Sequence, residues 1–106
     1  MSKLQYHPSL YVSEGITDKK LDKIKKNLEK HPLRAGVYLI SAARNGIDQL
    51  EIYDSAQLAW PYYGKNPPYI IGITQTYGEA VRIIEQIAQE CYSARGDCAL
   101  REYLLC

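Results

Sequence analysis

The sequence predicts an α+β fold with a small three-stranded, mainly antiparallel sheet and helices on one of its faces. Three observations lead to this prediction. Two long segments carry apolar residues at helical spacing, an Asn-Gly pair joins two segments of strand composition, and a third strand-like segment precedes the second long helix. The chain of 106 residues is long enough for one hydrophobic core, so residues 1–106 are expected to form a single domain.

Composition indicates a folded cytoplasmic protein. Hydrophobic residues make up 46% of the chain and charged residues 24%, which is the balance of a globular domain. No apolar stretch has the length of a membrane span, and the polar start Met1-Ser2-Lys3 lacks the apolar core of a secretion signal. The three cysteines include no pair at metal-ligand spacing, so we expect reduced thiols and no metal or cofactor.

The amino-terminal third is predicted to hold an arm and a long helix. Residues 1–15 have no usable period and are expected to form an irregular or weakly extended arm. The helix is predicted over residues 17–30, because Thr17 is a favourable N-cap and Pro32 disfavours helical geometry just beyond the segment. Its apolar stripe consists of Leu21, Ile24 and Leu28.

A hairpin is predicted over residues 36–53, with its turn at Asn45-Gly46. Asn-Gly favours a two-residue type I′ turn, and this turn sets a register that places Leu39 opposite Ile52. The first strand is apolar at nearly every position and the second alternates, so the first is expected to be central. The same register groups three side chains on the face turned away from the long helices, namely Tyr38, Ile40 and Tyr53.

The second half is predicted to add a strand and three helices. Their expected ranges are 55–60 for a short helix, 69–74 for the third strand, 76–93 for the second long helix and 98–105 for a last short helix. Thr76 and Glu79 form the T-x-x-E pattern of a capping box. Both long helices are expected to cover one face of the sheet, which leaves the face of Tyr38 thinly covered.

Tyrosine content is the least ordinary feature of the chain. There are ten tyrosines, one tryptophan and no phenylalanine. Tyrosine and tryptophan are enriched at protein interfaces. The aromatic loop 60–69 fits either a recognition surface or a plug for the end of the core. The candidate interaction surface joins this loop to the sheet face and comprises Tyr38, Ile40, Tyr53, Trp60, Tyr62, Tyr63 and Tyr69.

A row of lysines on the first helix supports an alternative. Residues 1–36 carry eight Lys/Arg and four Asp/Glu, a net charge of +4. A ridge of ammonium groups could follow a phosphate backbone, although neighbouring acidic residues favour an ordinary solvated face. The candidate nucleic-acid contacts are Lys19, Lys23, Lys26 and Lys30.

The remaining motifs favour local structural roles. Arg95-Gly96-Asp97 matches an integrin-binding tripeptide, but Gly96 suits a helix end and Asp97 suits the next N-cap. Cys91 continues an apolar stripe, whereas Cys98 at a helix start is the cysteine to test for reactivity. No nucleophile has an identifiable base, so catalysis is not favoured.

The sequence therefore favours a non-catalytic interaction module that forms a homo-oligomer or binds another protein. Its tyrosine-rich surface is the predicted contact. The alternative is binding of RNA or single-stranded nucleic acid through the lysine row and the loop 60–69.

Overall fold

In the computed structural model, which describes residues 4–42, 50–59, 68–97 and 99–105, four strands form a mixed sheet. The strands are β1 (Gln5–Val12), β2 (Tyr38–Ala42), β3 (Leu50–Asp54) and β4 (Tyr69–Thr74). Their order across the sheet is β1-β4-β2-β3, with β1 parallel to β4 and β2 antiparallel to both of its neighbours. The α+β class is confirmed. The sheet differs from the predicted three-stranded one because residues 5–12, expected within an irregular arm, pair with β4.

β1 joins the sheet although its sequence lacks a regular period. Tyr6 pairs with Ile70 and Tyr11 pairs with Gly72, so residues 7–10 of β1 lie opposite Ile71 alone. A proline, which has no N–H to donate, is tolerated on an edge strand at such an irregularity. The extra residues break the alternation that identifies a strand in a sequence.

The predicted helices begin and end close to the predicted positions, and the short helix at Pro32–Ala35 was not predicted. They are α1 (Asp18–Lys30), α2 (Pro32–Ala35), α3 (Tyr77–Arg95) and α4 (Leu100–Leu105), with a 3-10 helix at Ser55–Ala59. The hydroxyl oxygen of Thr17 accepts the backbone N–H of Lys20 at 3.3 Å, and that of Thr76 accepts the backbone N–H of Glu79 at 3.1 Å. Gly96 ends α3 in the left-handed conformation at φ 78°. These local signals therefore account for the ends of both long helices.

The β2–β3 register differs by one residue from the register that a two-residue turn predicts. Leu39 pairs with Tyr53, and Ile40 pairs with Ile52. The predicted turn residues 45 and 46 lie outside the described part of the chain. Because side chains alternate along a strand, the shift moves Tyr53 to the face of Leu39 and away from that of Ile40.

Each face of the sheet is covered by its own helices. The core on the α1 face consists of Ile16, Leu28, Val37, Leu39, Tyr53, Ile70 and Ile73. The core under α3 and α4 consists of Ile40, Ile71, Ala80, Ile87, Cys91, Leu100 and Leu104. The prediction that both long helices share one face is wrong. β2 and β4 are apolar at consecutive positions, and strands of that kind need cover on both faces.

Gly72 allows the close approach of three chain segments beneath α3. β4 carries one extra residue here, since Ile40 pairs with Gly72 while Ser41 pairs with Ile70. A Cβ on Gly72 would lie 3.0 Å from Cδ1 of Ile40 and 3.1 Å from the backbone oxygen of Tyr11. Both distances are shorter than ordinary van der Waals contact, so a residue with a Cβ requires Ile40 and the backbone of β1 to shift.

We expect Gly72→Ala to lower the free energy of unfolding by about 1–3 kcal/mol through overpacking. The matched control is Gly78→Ala in the first turn of α3, where an added Cβ meets nothing within 4 Å. That change should leave stability unchanged or raise it by up to about 1 kcal/mol, because alanine favours helix. Urea denaturation of both variants measures the difference. Equal effects of the two substitutions would contradict the packing at Gly72.

Candidate functional site

The tyrosine-rich surface predicted from the sequence is divided by the fold. Ile40 has 0% of its surface exposed and Tyr53 has 7%, and they lie on opposite faces of the sheet. The predicted open sheet face is therefore wrong, since α3 and α4 cover it. Tyr38 and Tyr69 are half-buried. The other members of the predicted surface, Trp60, Tyr62 and Tyr63, lie outside the described residues.

Tyr38 adjoins an exposed apolar surface on α3 that is not among the sites predicted from the sequence. Tyr77, Val81 and Tyr92 are 56%, 38% and 60% exposed, and at 100° per residue they lie within about 60° of one another around the helix. The rings of Tyr38 and Tyr77 meet edge to face with centroids 6.0 Å apart. Including the half-buried residues between them, the α3 apolar stripe consists of Tyr77, Val81, Ile84, Ala88 and Tyr92.

A cavity of about 630 Å³ lies where β1 departs from regular pairing. We call it the β1–α4 cavity, and it is lined by His7, Pro8, Ser9, Tyr11, Tyr69, Tyr103 and Leu104. The His7 ring lies 6.4 Å from the ring of Tyr11 and 6.3 Å from that of Tyr69, measured between centroids. The cavity thus brings aromatic rings from β1, β4 and α4 together, and Tyr69 is the one described member of the predicted surface that lines it.

Two hydrogen bonds hold the His7 ring in place. Its Nδ1 accepts the backbone N–H of Ser9 at 3.0 Å, and its Nε2 lies 2.9 Å from the carbonyl oxygen of Leu104. An Nδ1 that accepts a hydrogen has no hydrogen of its own, so Nε2 carries the N–H and donates it to Leu104. The ring is therefore the neutral Nε2–H tautomer, and it ties β1 to the last turn of α4.

Tyr11 connects the cavity to a carboxylate on α3. Its hydroxyl donates to Oε1 of Glu90 at 2.8 Å, while the side-chain amide of Gln86 donates to Oε2 at 3.0 Å. Burial, together with the Glu90 hydrogen bond and charge, raises the pKa of Tyr11 above its usual value. The hydroxyl therefore stays protonated and keeps donating to Glu90 at physiological pH.

The remaining candidates are dispersed. The four predicted lysine contacts are exposed along α1.

The Cys91 thiol is buried and donates to the backbone oxygen of Asp97 at 3.3 Å, whereas Cys98 lies outside the described residues. Arg95 and Asp97 form a local ion pair at 3.1 Å, and Asp97 also accepts the backbone N–H of Ala99. The tripeptide 95–97 thus joins α3 to α4.

The described part of the chain contains neither a metal-binding group nor a membrane-spanning helix. Its histidine, cysteine and acidic residues form no group of three or more that could hold a metal ion. None of the described helices combines the length and apolar character needed to cross a membrane.

Comparison of the chain with models of protein families, with curated proteins and with solved structures finds no match.

Tyr6 provides a pH-dependent test of the packing beside α1. Its hydroxyl is buried without a hydrogen-bond partner among the described residues, and the Lys25 ammonium lies 4.8 Å above its ring. Burial, with a smaller effect of the Glu29 charge, raises the pKa of Tyr6 to about 12. The folded state therefore resists ionisation of this group more than the unfolded state does.

We expect the stability that neutral Tyr6 contributes to be complete below pH 10 and to be lost as the pH rises towards 12. Tyr6→Phe should remove this part of the alkaline loss. At pH 8 it should leave the free energy of unfolding unchanged or raise it by up to about 1 kcal/mol, because an unpaired hydroxyl is removed. Urea denaturation of both proteins at pH 8 and pH 11.5 makes the comparison. An identical alkaline loss in the variant would show that the hydroxyl is not buried as described.

Proposed function

We propose that this chain is a non-catalytic, cytoplasmic protein-interaction module that self-associates through the α3 apolar stripe and Tyr38. One observation carries the proposal. Of the four large hydrophobic residues with high exposure among the described residues, three lie on one shoulder of α3, namely Tyr77, Val81 and Tyr92. Exposed apolar side chains aligned along one helix, with the half-buried Ile84 and Ala88 between them, are typical of an interaction site. The buried, protonated thiol of Cys91 fits the cytoplasmic part of the proposal.

The order of residues along the stripe favours a second copy of this chain as the occupant. A two-fold interface requires one patch that is complementary to itself. If two α3 helices pair antiparallel about an axis near position 86, Val81 lies opposite Tyr92 and Ile84 lies opposite Ala88. The small Ala88 leaves room for Ile84, so large and small side chains alternate across the pair.

The ends of the paired helices add a further complementary contact. Arg95 projects from the same side of α3 as Tyr77, because the two are separated by five turns of the helix. In the antiparallel pair each Arg95 lies opposite the partner's Tyr77, and a guanidinium stacks favourably on a tyrosine ring. The same contact occurs at both ends of the pair, as two-fold symmetry demands.

The dimensions of the stripe indicate a weak, reversible dimer. A helix of 19 residues is about 28 Å long. One stripe on such a helix buries less than the roughly 800 Å² per partner of a standard stable interface. We therefore expect association in the micromolar range rather than an obligate dimer.

Val81→Lys should abolish self-association, since it places a charge within the apolar contact opposite Tyr92. The residue is 38% exposed, so the substitution should leave the fold intact. The matched control is Gln89→Lys, which adds the same charge to an exposed position outside the stripe. Light scattering after size-exclusion chromatography, over a wide range of concentrations, should show the mass of wild type and Gln89→Lys rising from 12.1 kDa towards twice that value.

The register of the pair is tested by cross-linking. A mixture of Val81→Cys and Tyr92→Cys chains should form a disulfide-linked pair faster than either variant alone, because the two positions lie opposite each other. Wild type under the same oxidant measures the background from its own cysteines. A wild type that stays monomeric at every concentration, or a Val81→Lys variant that dimerises like the control, contradicts the proposal.

The lysine row on α1 supports a second candidate, the binding of RNA or single-stranded nucleic acid. Lys19, Lys23, Lys26 and Lys30 are all exposed, and the one ion pair of the described residues lies elsewhere, between Arg95 and Asp97. The aromatic loop 60–69 lies largely outside the described residues, so this candidate depends on α1 alone. We favour self-association because exposed lysines are stable in water without a partner, whereas an aligned apolar stripe is not.

If the second candidate is correct, a triple variant with Lys19, Lys23 and Lys26 changed to Glu should lose most of its affinity for a labelled single-stranded oligonucleotide. The salt dependence of binding should also become less steep, because fewer counterions are released. Arg82→Glu, an exposed charge reversal on α3, serves as the control. A gel mobility assay at low salt that shows no binding by wild type excludes this function.

A further inference from the structure

We propose that the β1–α4 cavity binds an organic ammonium group, meaning a quaternary or methylated amine, through its tyrosine rings. This site differs from the α3 apolar stripe. Tyr11 contacts Glu90, which projects from α3 roughly 120° or more around the helix from every member of the stripe. Binding at the cavity is therefore independent of self-association, and the two can be tested separately.

Several aromatic rings surround the cavity. Tyr11, Tyr69 and Tyr103 line it together with His7. The centroid distances of 6.3 and 6.4 Å from His7 to two of the tyrosines bring these rings around one space. The face of a tyrosine ring carries negative potential and attracts a cation within about 6 Å of its centroid. Several such rings around one space make a cage for an ammonium group.

The charges at the cavity lining favour a cation as the ligand. The described residues that line it include no lysine or arginine. His7 is neutral in the tautomer that its two hydrogen bonds require. The Glu90 carboxylate accepts the hydroxyl of Tyr11. Among the described residues, the charge that is bonded to the cavity lining is therefore negative, which favours a cation and disfavours an anion.

The lining of the cavity suits an organic cation better than a metal ion. A metal ion needs several oxygen, nitrogen or sulfur ligands, and both ring nitrogens of His7 are already engaged. A methylated ammonium needs no such ligands, because it is weakly hydrated and binds to ring faces. The volume of about 630 Å³ exceeds that of one trimethylammonium group, so the ammonium belongs to a larger molecule.

Glu90 strengthens the site without entering it. A phenol that donates to a carboxylate has more electron density in its ring, so the Tyr11 ring should attract a cation more strongly. The amide of Gln86 holds the other carboxylate oxygen. Glu90 is thus a positioning and polarising residue, and Tyr11, Tyr69 and Tyr103 are the contacts.

The test uses choline and its neutral isostere 3,3-dimethylbutan-1-ol, which has the same shape with carbon in place of the charged nitrogen. Binding is followed through the backbone amide signals of His7 and Ser9 in NMR titrations of the full chain. We expect choline to bind saturably and the isostere to bind at least about tenfold more weakly, the size of effect that a desolvated cation–ring contact gives. A trimethyllysine peptide and phosphatidylcholine vesicles, titrated in parallel, identify whether the ammonium comes from a protein, a lipid or a free metabolite.

Matched variants test separately the contributions of the Tyr69 ring, the Tyr69 hydroxyl and the Glu90 charge to choline binding. Tyr69→Phe keeps the ring and should retain choline binding, whereas Tyr69→Leu should weaken it about tenfold. Glu90→Gln keeps a hydrogen-bond acceptor for Tyr11 and removes the charge, so it should weaken choline severalfold and leave the isostere unchanged. Tyr92→Leu on the α3 apolar stripe should bind choline like wild type. Thermal unfolding of each variant confirms that it is folded.

Three results overturn the proposal. The first is the absence of choline binding by wild type at millimolar concentration together with the absence of binding in the peptide and vesicle titrations. The second is equal binding of choline and the isostere, which identifies a general apolar cavity. The third is an equal loss of binding in folded Tyr69→Phe and Tyr69→Leu, which shows that the ring face is not the contact. None of these results bears on self-association.

Discussion

The structure depends on one constraint, which is that its two central strands are apolar on both faces. Leu39 and Ile40 are neighbours on β2, Ile70 and Ile71 are neighbours on β4, and all four are fully buried. Such strands are stable only between two helical layers. α1 therefore covers one face, and α3 with α4 covers the other. Because α3 uses one side for this contact, its shoulder remains exposed.

Local features of the fold could be predicted and long-range pairing could not. The bounds of α1 and α3 follow from nearby residues, since Thr17 and Thr76 cap them and Gly96 ends the second. The β2–β3 register and the place of β1 depend on partners distant in sequence. The continuous apolar pattern of β2 was correctly interpreted as a central strand. The same pattern also implies that both faces of β2 are buried. That implication contradicts the prediction that one face of the sheet is thinly covered.

The two candidate sites differ in how visible they are in the sequence. The α3 apolar stripe has a helical spacing, but Tyr77 and Tyr92 are ambiguous because tyrosine is common on both buried and exposed surfaces. The β1–α4 cavity has no local pattern at all. It combines His7 and Tyr11 from an irregular edge strand with Tyr69 and Tyr103, and the fold brings these segments together. Of the predicted tyrosine surface, Tyr38 and Tyr69 keep a role in these sites, and the buried Ile40 and Tyr53 belong to the core.

The hydrogen bond from His7 to Leu104 joins residues 97 positions apart, and this separation has a consequence for how the chain folds. During synthesis β1 emerges first, but its sheet partner β4 follows about sixty residues later and its α4 contact later still. The hairpin partner β3 reaches β2 much sooner. Contacts of long sequence separation form slowly, because the intervening chain must be ordered first. Among the strand pairings of the sheet, that of β1 with β4 has the longest sequence separation, so we expect it to form last, and until it forms the edge of β4 is open.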